Sequence, residues 1–153
     1  LSVENVRNFF LDRNLEDPVF DLNESGATVE LAAKSMGIEP EFIAKTLAFN
    51  VNERKILVVT RGNARVDNKK FKQFFKAKAR MISFEEVESS IGHPVGGVCP
   101  FGVKEDVEIF IDESIRDFEY VYPAAGSKTT ALKISPYKME ELTNASWVDI
   151  ATY

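Results

Sequence analysis

Eleven consecutive residues constrain this chain more than any others: Gly92-His93-Pro94-Val95-Gly96-Gly97-Val98-Cys99-Pro100-Phe101-Gly102, with four glycines and two prolines. Glycine lets backbone amides approach a ligand or a second loop closely, and proline fixes φ and stiffens the turns between them. A flexible linker would be rich in glycine and serine. This segment is stiffened and partly apolar, and it lies between a helical stretch and a strand-like one. That pattern suits a pocket wall built from main chain. Alone it names no ligand.

The 153 residues are enough for one domain with a proper core, expected to span 1–153. Hydrophobic residues make up 44% and charged ones 28%, and twelve phenylalanines against one tryptophan predict a core packed with Phe. No apolar run approaches the roughly 18 residues of a membrane span. We therefore expect a cytoplasmic protein with no membrane partner, monomeric or weakly homodimeric. One cysteine excludes an internal disulfide, and one histidine beside it makes a conventional zinc site a poor fit. No metal or cofactor is expected.

The net charge of −5 hides an asymmetry. Between Arg61 and Arg80 lie eight basic residues and one acid, Asp67, so that window carries +7 and the remainder −12. An acidic protein with one concentrated basic segment can present a polyanion site on a surface that otherwise repels polyanions. A solvated helix face is the alternative.

Periodicity predicts a helix over Ser2–Asn14 capped by Ser2, a short strand over Pro18–Leu22, and a helix over Val29–Met36 capped by Thr28 and stopped by Gly37. A helical turn at Glu39-Pro40-Glu41 leads to Lys45 and a hairpin of strands, Thr46–Val51 and Lys55–Thr60. Asp67 or Asn68 caps a basic helix running to Arg80, with Phe71, Phe74 and Phe75 as its buried stripe. Lys69, Lys72, Lys76 and Arg80 recur at steps of three or four on its outer face. A strand-like Arg80-Met81-Ile82 follows, and Ser83 or its neighbour caps a helix over Glu85–Ile91. Strands are predicted at Val107–Ile111, Phe118–Tyr122 and Ala131–Ile134. Ser135-Pro136 opens a last helix, with Pro136 at its first position. The fold class is α+β, one compact domain with a largely antiparallel or mixed sheet.

Among single residues, Lys45 sits between Phe42-Ile43-Ala44 and Leu47-Ala48-Phe49. A lysine at the mouth of a central strand serves as an anion anchor or a pKa-shifted catalytic group, or else lies on the exposed face of an alternating strand. Cys99 reads as a small buried thiol rather than a nucleophile, because only His93 could serve as its base. His93 reads as a local hydrogen-bonding residue. Asp112-Glu113 reads equally as a cap or as an acid/base group. Pro123-Ala124-Ala125-Gly126-Ser127-Lys128 is a second small-residue turn, in which Ser127 and Lys128 can donate to an anion.

Three segments taken in order resemble the YbaK/ProX (EbsC-like) family of aminoacyl-tRNA deacylases, which is similar to the editing domain of bacterial prolyl-tRNA synthetase. They are Ala27-Thr28-Val29-Glu30-Leu31 through Ile43-Ala44-Lys45-Thr46-Leu47, then Gly92 to Gly102, then Tyr122 to Ser127 leading to Leu132-Lys133-Ile134-Ser135-Pro136. The resemblance runs over nearly the whole chain. It implies a mixed, barrel-like sheet surrounded by helices. The implied activity is hydrolysis, in trans, of the ester between a mischarged small amino acid and the end of a tRNA, tRNA(Pro) first. Implied partners are the acceptor end of aminoacyl-tRNA and prolyl-tRNA synthetase.

Lys45 matches the family lysine, and Gly96-Gly97-Val98-Cys99-Pro100 matches the family's Gly-x-x-x-Pro loop. The resemblance thus implies catalytic roles for Lys45, Gly96 and Gly97. It places Phe20, Thr28, Ile43, Val98, Cys99, Pro100, Ala124, Gly126 and Ser127 around the substrate. Lys69, Lys72, Lys76 and Arg80 would meet the tRNA backbone. Some members carry serine where Ala124 aligns and tyrosine near Phe20. Losing two hydroxyls leaves a drier pocket, which weakens the expectation of cysteine specificity and leaves alanine, serine or another small amino acid open. Two rival readings stand beside the enzyme: a tRNA- or synthetase-binding module without turnover, and a small-molecule-binding protein with no RNA partner.

Overall fold

In the computed structural model, which describes residues 1–153, the chain opens with helix α1 (Ser2–Leu11). Val6 and Phe10 bury its inner face. Ser2 does not cap it. Leu1 holds the cap position, and the Ser2 hydroxyl bonds instead to His93 Nδ1 at 2.5 Å. Strand β1 is reduced to Phe20–Asp21. Helix α2 (Val29–Met36) follows the sequence reading: Thr28 Oγ1 accepts from the Leu31 N–H, and Gly37 ends it in the left-handed region at φ 68°. A turn of 3-10 helix (Pro40–Phe42) then delivers β2 (Ile43–Val51).

Strand β2 pairs antiparallel with β3 (Arg54–Arg61) along its full length, with Lys45 opposite Thr60 and Ala48 opposite Leu57. This hairpin is the centre of the sheet. Strand β4 (Arg65–Val66) follows, and then α3 (Asn68–Phe75), whose cap Asp67 accepts from the Lys69 and Lys70 amides. The basic helix thus ends at Phe75 and does not reach Arg80. Lys76 turns left-handed at φ 60°, because the following residues leave the helix to run beside β2. There Met81 bridges Phe49, and the Arg80 carbonyl accepts from the Asn50 N–H at 2.9 Å.

Helix α4 (Phe84–Ile91) precedes the glycine loop, and β5 (Val107–Asp112) returns parallel to β3. The strands predicted around 118–122 and 131–134 shrink to β6 (Tyr122–Pro123) and β7 (Thr130–Ala131). Beyond them the two segments meet only at single bridges, Val121 with Ile134 and Ala124 with Ala131. Helix α5 (Pro136–Thr143) starts with proline after Ser135, whose Oγ accepts from the Lys138 N–H. Strands β8 (Ser146–Val148) and β9 (Ala151–Thr152) end the chain.

The result is a mixed five-stranded sheet in the order β6-β2-β3-β5-β8, with two-stranded ribbons β1-β7 and β4-β9 at its margins. Alternation along the hairpin gives the sheet two different faces. Ile56 and Val58 pack with Phe49, Phe71, Phe75 and Phe110 under α3. Val59 and Ala44 pack with Val6, Phe10, Phe101, Leu132 and Met139 under α1 and α5. Each fully buried Phe side chain contributes about 1.5–3 kcal/mol. No helix is long and apolar enough to cross a membrane.

His93 fastens the glycine loop to this core. It is fully buried, its Nε2–H donates to the Phe101 carbonyl at 2.6 Å, and its Nδ1 accepts from Ser2 Oγ. Burial holds the imidazole below its ordinary 6.5, partly offset by the Phe101 bond. As pH falls through 6.5 the unfolded chain takes up a proton that the folded chain refuses, so stability is lost towards acid. Between about pH 7.5 and about pH 5, thermal melting of the wild type should fall more steeply than that of His93→Asn. Parallel pH profiles would contradict this role.

Candidate functional site

The site begins with a gap in the sheet. Strand β2 has β3 on one side throughout, but on its other side β6 meets only Ile43 and Ala44, and the 80–82 segment only Ala48 to Asn50. Main-chain groups of an antiparallel strand face alternate sides. The Ala48 carbonyl and the Asn50 N–H both point outward to that segment. The N–H and C=O of Thr46, two residues earlier, therefore point into the gap, where neither neighbour reaches them. The Thr46 side-chain oxygen is buried and also lacks a partner.

A cavity of about 260 Å³ fills this gap. Seventeen of its 23 lining residues are hydrophobic, so polar groups in its wall are few and oriented. Lys45 is the only charged residue among them. Its Nζ donates to the Ala64 carbonyl at 2.5 Å, leaving two ammonium protons without a protein acceptor. Burial pushes its pKa below 10.5; Glu30 works against that fall and Arg65 adds to it.

The opposite wall is two loops locked together. The Gly126 N–H donates to the Gly97 carbonyl at 3.0 Å, and the Gly97 N–H donates to the Pro94 carbonyl at 2.9 Å. A Cβ on Gly97 would lie 2.5 Å from the Gly126 carbonyl carbon, so no side chain fits between the loops. Gly126 itself sits at φ 96°, a conformation glycine adopts without strain. Ser127 Oγ is occupied by Thr130 Oγ1 at 2.7 Å.

Of the residues expected at the site, the structure brings Thr28, Ile43, Lys45, Gly96, Val98 and Ala124 into the cavity wall. Gly97, Gly126 and Ser127 stand behind that wall and hold the loops together. Cys99 and Pro100 are buried away from it. The Cys99 thiol is packed in the core 3.5 Å from His93 Nε2, and burial pushes its pKa up to about 12. It is not a nucleophile, in line with the sequence reading. Phe20 lines a neighbouring hollow that shares Leu22, Met36 and Tyr122 with the cavity. Asp112 is a cap: its carboxylate accepts from the Ser114 and Ile150 amides. No three His, Cys, Asp or Glu side chains gather in a metal-binding group.

Residues 23–142 match the aminoacyl-tRNA editing domain family. The chain belongs to that family. It is 41% identical over 152 residues to the uncharacterised protein YwhH of Bacillus subtilis, covering 98% of this chain and 97% of that protein. Over 135 residues it is 28% identical to EbsC of Enterococcus faecalis, a proposed Cys-tRNA(Pro)/Cys-tRNA(Cys) deacylase, covering 87% of this chain and 82% of EbsC. The crystal structure of a proposed trans-editing enzyme for prolyl tRNA synthetase matches with a TM-score of 0.90 at 26% identity, covering 99% of this chain and 98% of that one. That crystal structure shares the compact α+β fold described above.

The basic window is less uniform than its charge suggests. Arg61 pairs with Glu41 and Lys70 with Asp149, both at 3.1 Å, and Lys70 also donates to the Ala151 carbonyl. These two residues hold the fold. Arg65, Lys69, Lys72, Lys76, Lys78 and Arg80 make no ion pair. Sequence reasoning missed Thr46, Met81, Phe84 and Val87 in the cavity wall. An apolar residue at the first position of an acidic helix was the available signal for Phe84.

A cation held in an apolar wall by one carbonyl is poorly compensated. Between its lowered pKa and 10.5 the unfolded chain holds a proton on Lys45 that the native chain lacks, so stability rises with pH across that window. Below the window the native state bears the charge at a cost. Lys45→Met at neutral pH should therefore melt at the wild-type temperature or about 2–4 °C higher. A fall of more than about 4 °C would make Lys45 a structural residue.

Proposed function

We propose that this chain is a trans-acting aminoacyl-tRNA deacylase that removes a small amino acid mischarged onto tRNA, with tRNA(Pro) as the first candidate. The observation that carries the reading is Lys45, whose unsatisfied ammonium faces a small apolar cavity along the unpaired edge of β2. Family membership and the likeness to EbsC and to a proposed prolyl-tRNA trans-editing enzyme support the reaction class.

Lys45 binds the terminal phosphate or ribose and places the ester at the cavity mouth. The amino-acid side chain enters among Ile43, Val98 and Ala124. The Thr46 main chain and the wall at Gly96 orient the aminoacyl group and a water molecule. That water adds to the ester carbonyl while its proton passes to the neighbouring ribose hydroxyl, which hands its own proton to the departing ribose oxygen as the tetrahedral adduct collapses to free amino acid and a tRNA hydroxyl. No protein nucleophile is required, in keeping with the inert thiol of Cys99. The unpaired cations from Lys69 to Arg80 meet the phosphates of the acceptor end.

Selection follows from size. A proline pocket rejects a smaller amino acid weakly, since one methylene changes binding by only about 1–3 kcal/mol. A second, smaller cavity that hydrolyses the error restores fidelity. The cavity lacks the hydroxyl that a serine at Ala124 would bring, which favours alanine over cysteine as its occupant.

The test is hydrolysis of tRNA(Pro) charged in turn with alanine, cysteine, serine and proline. One small amino acid should be lost rapidly while prolyl-tRNA survives, and Lys45→Ala should slow the reaction at least about 100-fold with an unchanged circular dichroism spectrum. Absence of turnover on every substrate, with tRNA still bound, would leave the non-catalytic binding module as the function.

A further inference from the structure

Phe84 is the most exposed aromatic side chain of the protein, 76% open to solvent, yet its ring forms part of the cavity wall. Met81, 57% exposed, lies in the same wall, as does Val95. An apolar rim of this kind at the mouth of a cavity is unfavourable in water unless something covers it. Phe84 is the first residue of α4, and Val87, three residues on, is buried on the same face. Glu85 and Glu86 fall on the other faces of that helix. The chain entering the rim carries Lys78 and Arg80, both exposed and without ion pairs, and it is pinned to β2 by the Arg80 and Ile82 main chain. A flat aromatic surface beside exposed cations is an arrangement that holds unpaired nucleotides, the ring stacking a base and the cations meeting phosphate.

We infer that Phe84, flanked by Met81, is a stacking platform for an unpaired base at the 3′ end of RNA, with the adjoining phosphate met by Arg80. The occupant is single-stranded nucleic acid, because the apolar rim continues into a segment of net positive charge on an otherwise acidic protein. Resting on the deacylase reading, the inference adds to Lys45 a second hold on the strand. The base is gripped on one side of the mouth and the ester is delivered to the other.

The experiment measures affinity for a short single-stranded RNA ending in CCA and for a blunt RNA duplex of equal charge. It uses the wild type, Phe84→Ala and Phe84→Tyr. The single strand should bind the wild type more tightly than the duplex. Phe84→Ala should weaken the single strand about tenfold, Phe84→Tyr should restore it, and duplex binding should not move. On a mischarged tRNA the alanine variant should raise KM with kcat within about twofold. Equal affinity of Phe84→Ala and wild type for the single strand overturns the platform, as does a wild-type dimer that Phe84→Ala dissolves, which would make the rim a contact between two copies. The oligonucleotide carries no ester. RNA binding through Phe84 without hydrolysis of any charged tRNA would thus overturn the deacylase and leave the platform standing. Hydrolysis that ignores Phe84 would do the reverse.

Discussion

The site exists because β2 is left without a neighbour between Ala44 and Ala48. A sheet edge inside a folded domain ordinarily acquires a partner, since unpaired buried amides and carbonyls are costly. Here β6 stops at Pro123, opposite Ala44, and the strand-like return from α3 begins its pairing only at Ala48. Between them the Thr46 main chain faces an apolar cavity with nothing to bond. A ligand with its own donors and acceptors, such as an aminoacyl ester, satisfies groups that the fold leaves open. The two glycine loops make this durable, because Gly97 and Gly126 lock by main-chain contact and keep the far wall from collapsing into the gap.

Charge is divided by the same geometry. Within the basic segment, Arg61 and Lys70 are engaged in internal pairs, while six others remain unpaired from β4 through α3 to the return at the cavity mouth. Lys45 stands apart from both groups. It is held by the Ala64 carbonyl, in the turn that leads from β3 towards the basic helix, so the cavity's one cation and the first exposed cations share a short stretch of chain. On the proposed function, an RNA backbone following that stretch would arrive at the cavity with its terminus in reach.

Local signals were legible where local chemistry decided the structure. The caps Thr28, Asp67 and Ser135, the stop at Gly37 and the Phe71–Phe75 stripe all follow from spacing, as does the central hairpin. The resemblance carried by Lys45 and the Gly96–Pro100 segment located two walls of the cavity. What sequence hid was set by long-range pairing. The strand-like character of Arg80-Met81-Ile82 was legible, but nothing in residues 76–79 announces that the helix stops at Phe75 and that this segment edges β2, which is why Arg80 was also placed on the basic helix and Met81 and Phe84 were not placed at the mouth. Ser2 is a good cap by type, yet a buried imidazole 91 residues away claims its hydroxyl. Cys99 lies inside the right motif, but its side chain faces the core rather than the cavity.

The most direct test of the central claim is a crystal structure with alanyl-adenosine monophosphate whose ester is replaced by an amide. The methyl group should lie among Ile43, Val98 and Ala124, the Thr46 main chain should bond the aminoacyl group, and Lys45 Nζ should stand about 3 Å from phosphate or ribose oxygen. An analogue bound in the hollow beside Phe20, with Lys45 still bonded to Ala64 alone, would contradict the account.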